Sequence, residues 1–391
     1  MNLGIVILHM DPWRGGVDAS LYSLLKEWRK TESITVYYSR LNPAARLEGV
    51  RYVQVRGVPI FRLNIEALTA SWAWRRMVRR ERFACRHDVI YSNHPLLTPC
   101  DVMTVHFCIS DYLSILRRSP VIGCGSAGVR RVLQYVECRV GAFLERKVYG
   151  RMSVEAGPRL HAVSQSVAEG LTSYFPHLQP QVIPNPVDLS RFTTDRDAEE
   201  RWNQVRRETG WGERCWRHLF VGGGWERKGL ADAIESLKYS HQETVLMVIG
   251  CGPVRTYRDL ATRHGVAGRV YFAGPQVDVE VWHKISDVFV FPSRYESFGI
   301  VCIEALASGL PLLCRPFKGT EMFLEDGHNG FAVDSPVSAA ERSALMRDDP
   351  SRYGELRRKA RVTAERFSAP VVAGQMLEFF RGVAAKGRWR G

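Results

Sequence analysis

Short runs of β-branched and apolar residues alternate along this chain with longer stretches whose apolar positions recur every three or four residues. That is the pattern of strands and amphipathic helices taken in turn. In the first half the runs predict strands at Leu3–Leu8, Ile34–Tyr38, Tyr52–Val55, Val89–Ser92, Val102–Val105, His161–Val163 and Gln181–Ile183, with helices near Val17–Lys30, Ala67–Phe83, Val129–Tyr149 and Val167–Tyr174. Two prolines in "VIPNPVDLSRF" (182–192) break the rhythm. The polar, Arg- and Glu-rich stretch that follows to about Arg217 reads as an interdomain linker. The alternation then resumes, with strands expected at His218–Val221, Val245–Ile249, Val270–Ala273, Val288–Phe291, Pro311–Cys314 and Gly330–Val333. Helices are expected at Lys228–Leu237, Val254–His264, Val279–Ile285, Gly299–Ser308 and Arg352–Arg366. Strands separated by helices pair in parallel, so the fold class is α/β with two doubly wound domains. Ligands of such sheets sit at the carboxyl ends of the strands, which points to a cleft between the two domains.

Composition narrows the function. A chain of 391 residues exceeds a single typical core, and 45% hydrophobic with 24% charged residues is ordinary globular usage. The strand-length start "NLGIVILHM" has no basic-then-apolar leader pattern, and no apolar run reaches the roughly 18 residues of a membrane span. Nine cysteines without a C-x-x-C pair argue against a disulfide framework or a zinc site, and a reducing cytoplasmic setting is expected. The net charge of +13 is uneven: residues 1–190 hold 24 Lys and Arg against 15 Asp and Glu, and the remainder 30 against 26. A basic surface attracts nucleic acid, anionic head groups or phosphorylated substrates.

Five stretches carry candidate chemistry. "MDPWRGGVDASLYSLLKEW" (10–28) runs from a strand through Gly15 and Gly16 into a helix; free amides there can face an anion, but read alone it is a tight turn with Asp18 in the first helical turn. "FVGGGWERKGLADAIESL" (220–237) ends a strand in glycines, with Arg227 and Lys228 before or at a helix start. Two cations are misplaced at that positive end unless a dianion binds between them. "VIGCGP" (248–253) shows only a tight turn. His94 and His106 end adjacent strand-like runs, where polar side chains line such sites, and they lack metal-ligand company. Finally, "YESFGIVCIEALASGLP" (295–311) places Glu304 within a helix apolar on all sides. A carboxylate is rarely buried without a partner. Ser297, Phe298 and Gly299 would open that helix, and Glu296 stands eight residues before Glu304, so the carboxylates flank an anion-binding turn and suit hydroxyls of the same ligand.

Together "GGVD", "TVHF", "LHAVSQS", "VIPNPVD", "FVGGGWERKGL", "VIGCGP" and above all "PSRYESFGIVCIEALASGLPLL" resemble the retaining glycosyltransferases of family 4, over essentially the whole chain. The resemblance implies a GT-B fold of two Rossmann-like domains: 1–186 for the acceptor, 187–368 for the nucleotide sugar, and a C-terminal helix in 369–391 packing back on the first. It implies sugar transfer from a nucleoside diphosphate donor, with no cofactor and no essential metal. By the same resemblance Glu304 accepts from the ribose hydroxyls, Arg227 and Lys228 neutralise the diphosphate, and Glu296 with the Ser297–Gly299 turn holds the sugar and distal phosphate. His106 faces the sugar near the reacting carbon, while Gly15, Gly16 and Gly223 approach the donor. Phe107 stands where an Asp often follows the histidine, Cys251 replaces an acid common in "GDGP", and Gly223 stands where many members have an arginine.

The acceptor is expected to be a glycan or lipid-linked hydroxyl. "LTASWAWRRMVRRERFACRH" (68–87) interleaves Trp72 and Trp74 with arginines, and 115–131 adds positive charge. Both suit a peripheral protein on the inner face of the cell membrane, or equally a soluble enzyme with its tryptophans in the core. A basic nucleic-acid-binding protein would leave Glu304 without a purpose, and no nucleic-acid partner is expected. A GT-B epimerase or phosphorylase would lack the combination of "ERKG" with the spaced glutamates.

Overall fold

The computed structural model describes residues 1–13, 15–55, 70–77, 87–95, 97, 99–118, 126–152 and 157–386. They form two compact units, Met1–Asn185 with Val372–Gly391, and Pro186–Val371.

In the first unit seven strands lie in the order β3-β2-β1-β4-β5-β6-β7, each pair parallel: β1 Asn2–Met10, β2 Ser33–Leu41, β3 Val50–Gln54, β4 Val89–Ser92, β5 Val102–Val105, β6 Arg159–Ala162 and β7 Gln181–Val182. The β-branched runs that predict the central strands β1, β4 and β5 are buried on both faces, as a helix-covered parallel sheet requires. Strand order reverses at β1, whose neighbours β2 and β4 continue in opposite directions. The core joins Leu3, Ile5 and Ile7 to Leu21, Leu24 and Trp28 of helix Gly16–Trp28, and to Val372, Met376 and Phe380 of helix Ala369–Ala385. The Trp28 indole N–H donates to the Ala373 carbonyl at 3.2 Å and its ring lies 5.4 Å from that of Phe380. Each large side chain buried there is worth roughly 1.5–3 kcal/mol.

The second unit has six parallel strands in the order β10-β9-β8-β11-β12-β13: β8 Trp216–Val221, β9 Thr244–Ile249, β10 Val270–Gly274, β11 Val288–Phe291, β12 Leu312–Cys314 and β13 Gly330–Ala332. Segment 186–198 is not a loose linker. Arg361 donates to the Phe192 and Ala307 carbonyls at 2.7 and 2.6 Å, Arg196 pairs with Asp287 at 2.5 Å, and Arg191 pairs with Glu280 at 2.8 Å.

Several elements differ from the expectation. The polar stretch before Arg217 contains helix Glu199–Thr209, which buries only Trp202 and Val205 and ends at Gly210 with φ +74°. Helices Ile109–Arg118 and Pro336–Arg347 are additional. The expected helix Lys228–Leu237 is two, Trp225–Lys228 and Leu230–Tyr239, divided at Gly229. Of the expected helix Ala67–Phe83, residues 70–77 are helical and the others lie outside the described residues.

Candidate functional site

In the second unit the carboxyl ends of β8, β9 and β11 come together through glycine. At Gly222 (φ +135°) an added Cβ would lie 2.5 Å from Lys228 Nζ, so the lysine side chain is laid directly over bare backbone. Gly229 (φ +76°) packs so closely on the Pro292 carbonyl after β11 that no side chain fits. That contact and the left-handed φ break the helix and turn Lys228 inward.

Arg227 and Lys228 therefore stand before a helix start, as expected, although that helix begins at Leu230 and not at Lys228. They form the last turn of Trp225–Lys228, where cations are electrostatically favourable, immediately before the N-terminus at Leu230. Arg227 Nη1 donates to Glu296 Oε1 at 2.7 Å and also to the Tyr295 carbonyl. The Arg294 N–H donates back to the Arg227 carbonyl at 2.9 Å, tying the loop after β11 to the cation pair. Lys228 Nζ lies 3.7 Å from Glu296 Oε1 and 4.9 Å from the centre of the Phe291 ring. Three of the predicted site residues are thus one ionic cluster.

Glu304 lies in helix Ile300–Ala307, capped by Gly299 at φ +84°. The expected all-round burial is corrected: Cys302, Ile303, Ala305, Leu306 and Ala307 are buried, while Ile300, Val301 and Glu304 form a half-buried edge. The Glu304 carboxylate has no hydrogen-bond or ion-pair partner among the described residues. Lost hydration pushes its pKa up to about 7, against the pull of Arg191 and then Lys228, with Glu280 pushing the same way as burial. Arg191 and Glu280, which sequence reasoning passed over, thus belong to the carboxylate's surroundings; "DLSRF" read as linker hid the arginine. Ser297 is half-buried beside this turn, and the buried Phe298 ring is packed 6.2 Å from that of Phe323, so its side chain is closed to a ligand. Gly223 has ordinary space around it, with Cys251 Sγ 3.6 Å from where its Cβ would stand.

In the first unit Gly15 is exposed and extended at the start of helix Gly16–Trp28. The Asp18 carboxylate accepts from the Asp11 N–H at 2.9 Å, so it joins strand end to helix, and burial raises its pKa. His94 and His106 follow β4 and β5 as expected. Burial lowers their pKa to about 4 and about 3, helped at His94 by His9 and at His106 by His161 and His94. His106 Nε2 meets Asn93 Oδ1, a partner the sequence reading did not single out. No three His, Cys, Asp or Glu side chains are grouped to hold a metal among the described residues.

Two parallel-sheet Rossmann-like units with a cation pair and acidic residues at one set of strand ends define a GT-B protein. Its fold is shared with Anabaena Alr3699/HepE, solved with UDP and glucose, at a TM-score of 0.71, 18% identity and coverage of 98% of this chain and 100% of that one. Residues 14–191 match the family model "Glycosyltransferase Family 4", and residues 203–365 match "Glycosyl transferases group 1". A glycosyltransferase of Methanocaldococcus jannaschii is 32% identical over 72% of this chain and 73% of its own length. The chain belongs to this glycosyltransferase family. A GDP-mannose-dependent alpha-(1-6)-phosphatidylinositol monomannoside mannosyltransferase of Mycolicibacterium smegmatis is 26% identical over 89% of this chain and 90% of its own. The chain spans about half the length of other curated relatives it matches, such as the D-inositol 3-phosphate glycosyltransferase of Xylanimonas cellulosilytica (31% identity, 50% of that protein).

Proposed function

We propose that this protein moves a hexose from a nucleoside diphosphate donor to a hydroxyl of a glycan or lipid-linked acceptor, with retention at the anomeric carbon and no essential metal. One observation carries the proposal: the Arg227–Lys228–Glu296 cluster stands beside Glu304, a carboxylate that Lys228 influences and that no described residue pairs. A diphosphate takes the cations and a ribose diol satisfies the carboxylate, so both ends of one ligand are provided for. With two cations at the leaving group, the charge neutralisation that a divalent ion supplies in other enzymes comes from the protein.

Glu304→Gln separates a binding role from a structural one. At about pH 8 the ionised carboxylate costs the unliganded fold on the order of 1–3 kcal/mol, so the amide is expected to leave the melting temperature equal or higher. The same change should weaken nucleoside diphosphate binding by about 10-fold or more, read as a smaller thermal shift with UDP or GDP. Unchanged nucleotide affinity would remove Glu304 from the site.

We also propose that the first unit meets an anionic membrane. Val136, Val140 and Phe143 are exposed at one face of helix Ser126–Tyr149, flanked by Arg139, Arg146 and Lys147, with Lys147 4.7 Å over the Phe143 ring. Trp72 is 65% exposed under Arg76, whereas Trp74 is fully buried, donating to the Pro99 carbonyl. The remainder of 68–87 and part of 115–131 lie outside the described residues. No helix among the described residues is long and apolar enough to cross a membrane. Sedimentation with vesicles containing anionic lipid should show binding that Phe143→Ser weakens and salt suppresses. Equal binding to neutral vesicles would overturn it.

A further inference from the structure

His106 is the first-unit histidine that the family resemblance sets against substrate, and in this chain the residue after it is Phe107 rather than an acid. The Phe107 ring packs 5.3 Å from Tyr112, so nothing at that position supplies a carboxylate. The imidazole is held by Asn93 instead, from the end of the neighbouring strand β4.

The geometry around Asn93 leaves little freedom. Its N–H donates to the Val6 carbonyl at 3.1 Å, fixing the backbone to β1. Its Oδ1 accepts from the Tyr91 phenol at 3.3 Å, and that phenol accepts in turn from the Thr104 hydroxyl at 2.7 Å. Tyr91 and Thr104 are buried, so the amide oxygen is oriented from behind by groups that do not move with solvent. A carbonyl oxygen only accepts; the ring nitrogen facing it must carry the proton. His106 Nδ1 is buried and has no hydrogen-bond partner among the described residues. The titratable groups acting on the ring are His161 of β6 and His94 after β4, both imidazoles that disfavour a second positive charge.

We propose that Asn93 is a positioning residue that holds His106 as a neutral imidazole protonated on Nε2, with its enclosed Nδ1 left as a bare lone pair. The proposal rests on the transfer function above. It means that His106 presents a fixed, uncharged ring and carries neither a positive charge nor a proton for the reaction near neutral pH. A carboxylate in the same place would make it an imidazolium and a donor.

Two readouts test this in the full-length protein. Carbon-13 NMR of histidine-labelled protein, with His106 assigned by its loss in His106→Gln, should show the Nε2–H tautomer and no titration between about pH 5 and 8. Asn93→Asp, nearly isosteric, should bring that titration into the range and add a matching limb to the pH profile of kcat. Asn93→Ala should lower kcat about 10- to 100-fold with donor KM little changed. Because the buried Tyr91 phenol loses its acceptor, it should also lower the melting temperature, whereas Asn93→Asp keeps an oxygen there and should not. An Nδ1–H tautomer, a parent His106 that titrates in that range, or an Asn93→Ala variant with normal kcat would each overturn the assignment. The NMR measurement requires no turnover, so it stands even if the transfer reaction proves to be another.

Discussion

Lys228→Ala is expected to lower kcat/KM for transfer by about 10²–10³-fold while changing the melting temperature little. The ammonium is mostly enclosed, with 12% of the side chain exposed, and lies between Glu296 and the face of Phe291. Enclosure makes a charge count for more toward an arriving diphosphate than it would in water. Removing it leaves Glu296 with Arg227 alone and withdraws one of the two cations, Arg191 being the other, that act on Glu304. The stem packs against bare Gly222, so alanine leaves a gap beside backbone without stranding a buried group. Lys228→Arg should not restore activity, because the planar guanidinium needs width where the glycine surface admits only a slender chain. Arg227→Ala should behave differently, since Arg227 also holds the Tyr295 carbonyl and would release the loop after β11. Transfer by Lys228→Ala at near-normal rates would sink the diphosphate assignment.

Mild acid should destabilise the protein strongly. Burial lowers the pKa of His94, His161, His218 and His283 to about 4 and of His106 to about 3, from an ordinary 6.5. Each stays neutral in the fold after the unfolded chain has taken up a proton. The stability these rings permit is therefore complete above about pH 6.5 and is lost as the pH falls toward 4. Between pH 7 and 5.5 the loss is about 1 kcal/mol for each histidine. Glu304, Glu145 and Asp18 act in the opposite sense, because burial raises their pKa and protonation relieves them as the pH falls. The net is a decrease of roughly 3–5 kcal/mol, seen as a melting temperature lower by on the order of 10 °C at pH 5.5 than at pH 7. A flat profile over that interval would contradict the neutral burial of these rings, and His161→Gln should make the dependence shallower.

The strands were legible because parallel sheets covered on both faces are written as unbroken β-branched runs; Val89–Ser92, Val102–Val105 and Val288–Phe291 have the expected limits. The helix Glu199–Thr209 was not, since a helix that buries two side chains has almost no apolar period. Its local signals were confined to its ends: Glu199 and Glu200 in the first turn, Arg206 and Arg207 in the last, and Gly210 after it. Within the site, Glu304 announced itself by contradicting its apolar neighbours. The break between Lys228 and Leu230 was not legible because Gly229 looks in sequence like a tolerated helical glycine, and only the closeness of Pro292 makes it a break. Asn93 and Arg191 gave no periodic signal. Their importance comes from neighbours on other strands and loops, His106 and Glu280, which no local window contains.

The first unit closes with residues from the far end of the chain. Trp28, made early in synthesis, waits for Ala373 and Phe380 to fill its side of the core. Translation therefore makes every residue of the second unit, Pro186–Val371, before the segment that completes the unit preceding it. Chaperones would meet the exposed Trp28 face during that interval, and a nonsense mutation near Val372 would damage the amino-terminal half of the protein rather than the half it adjoins.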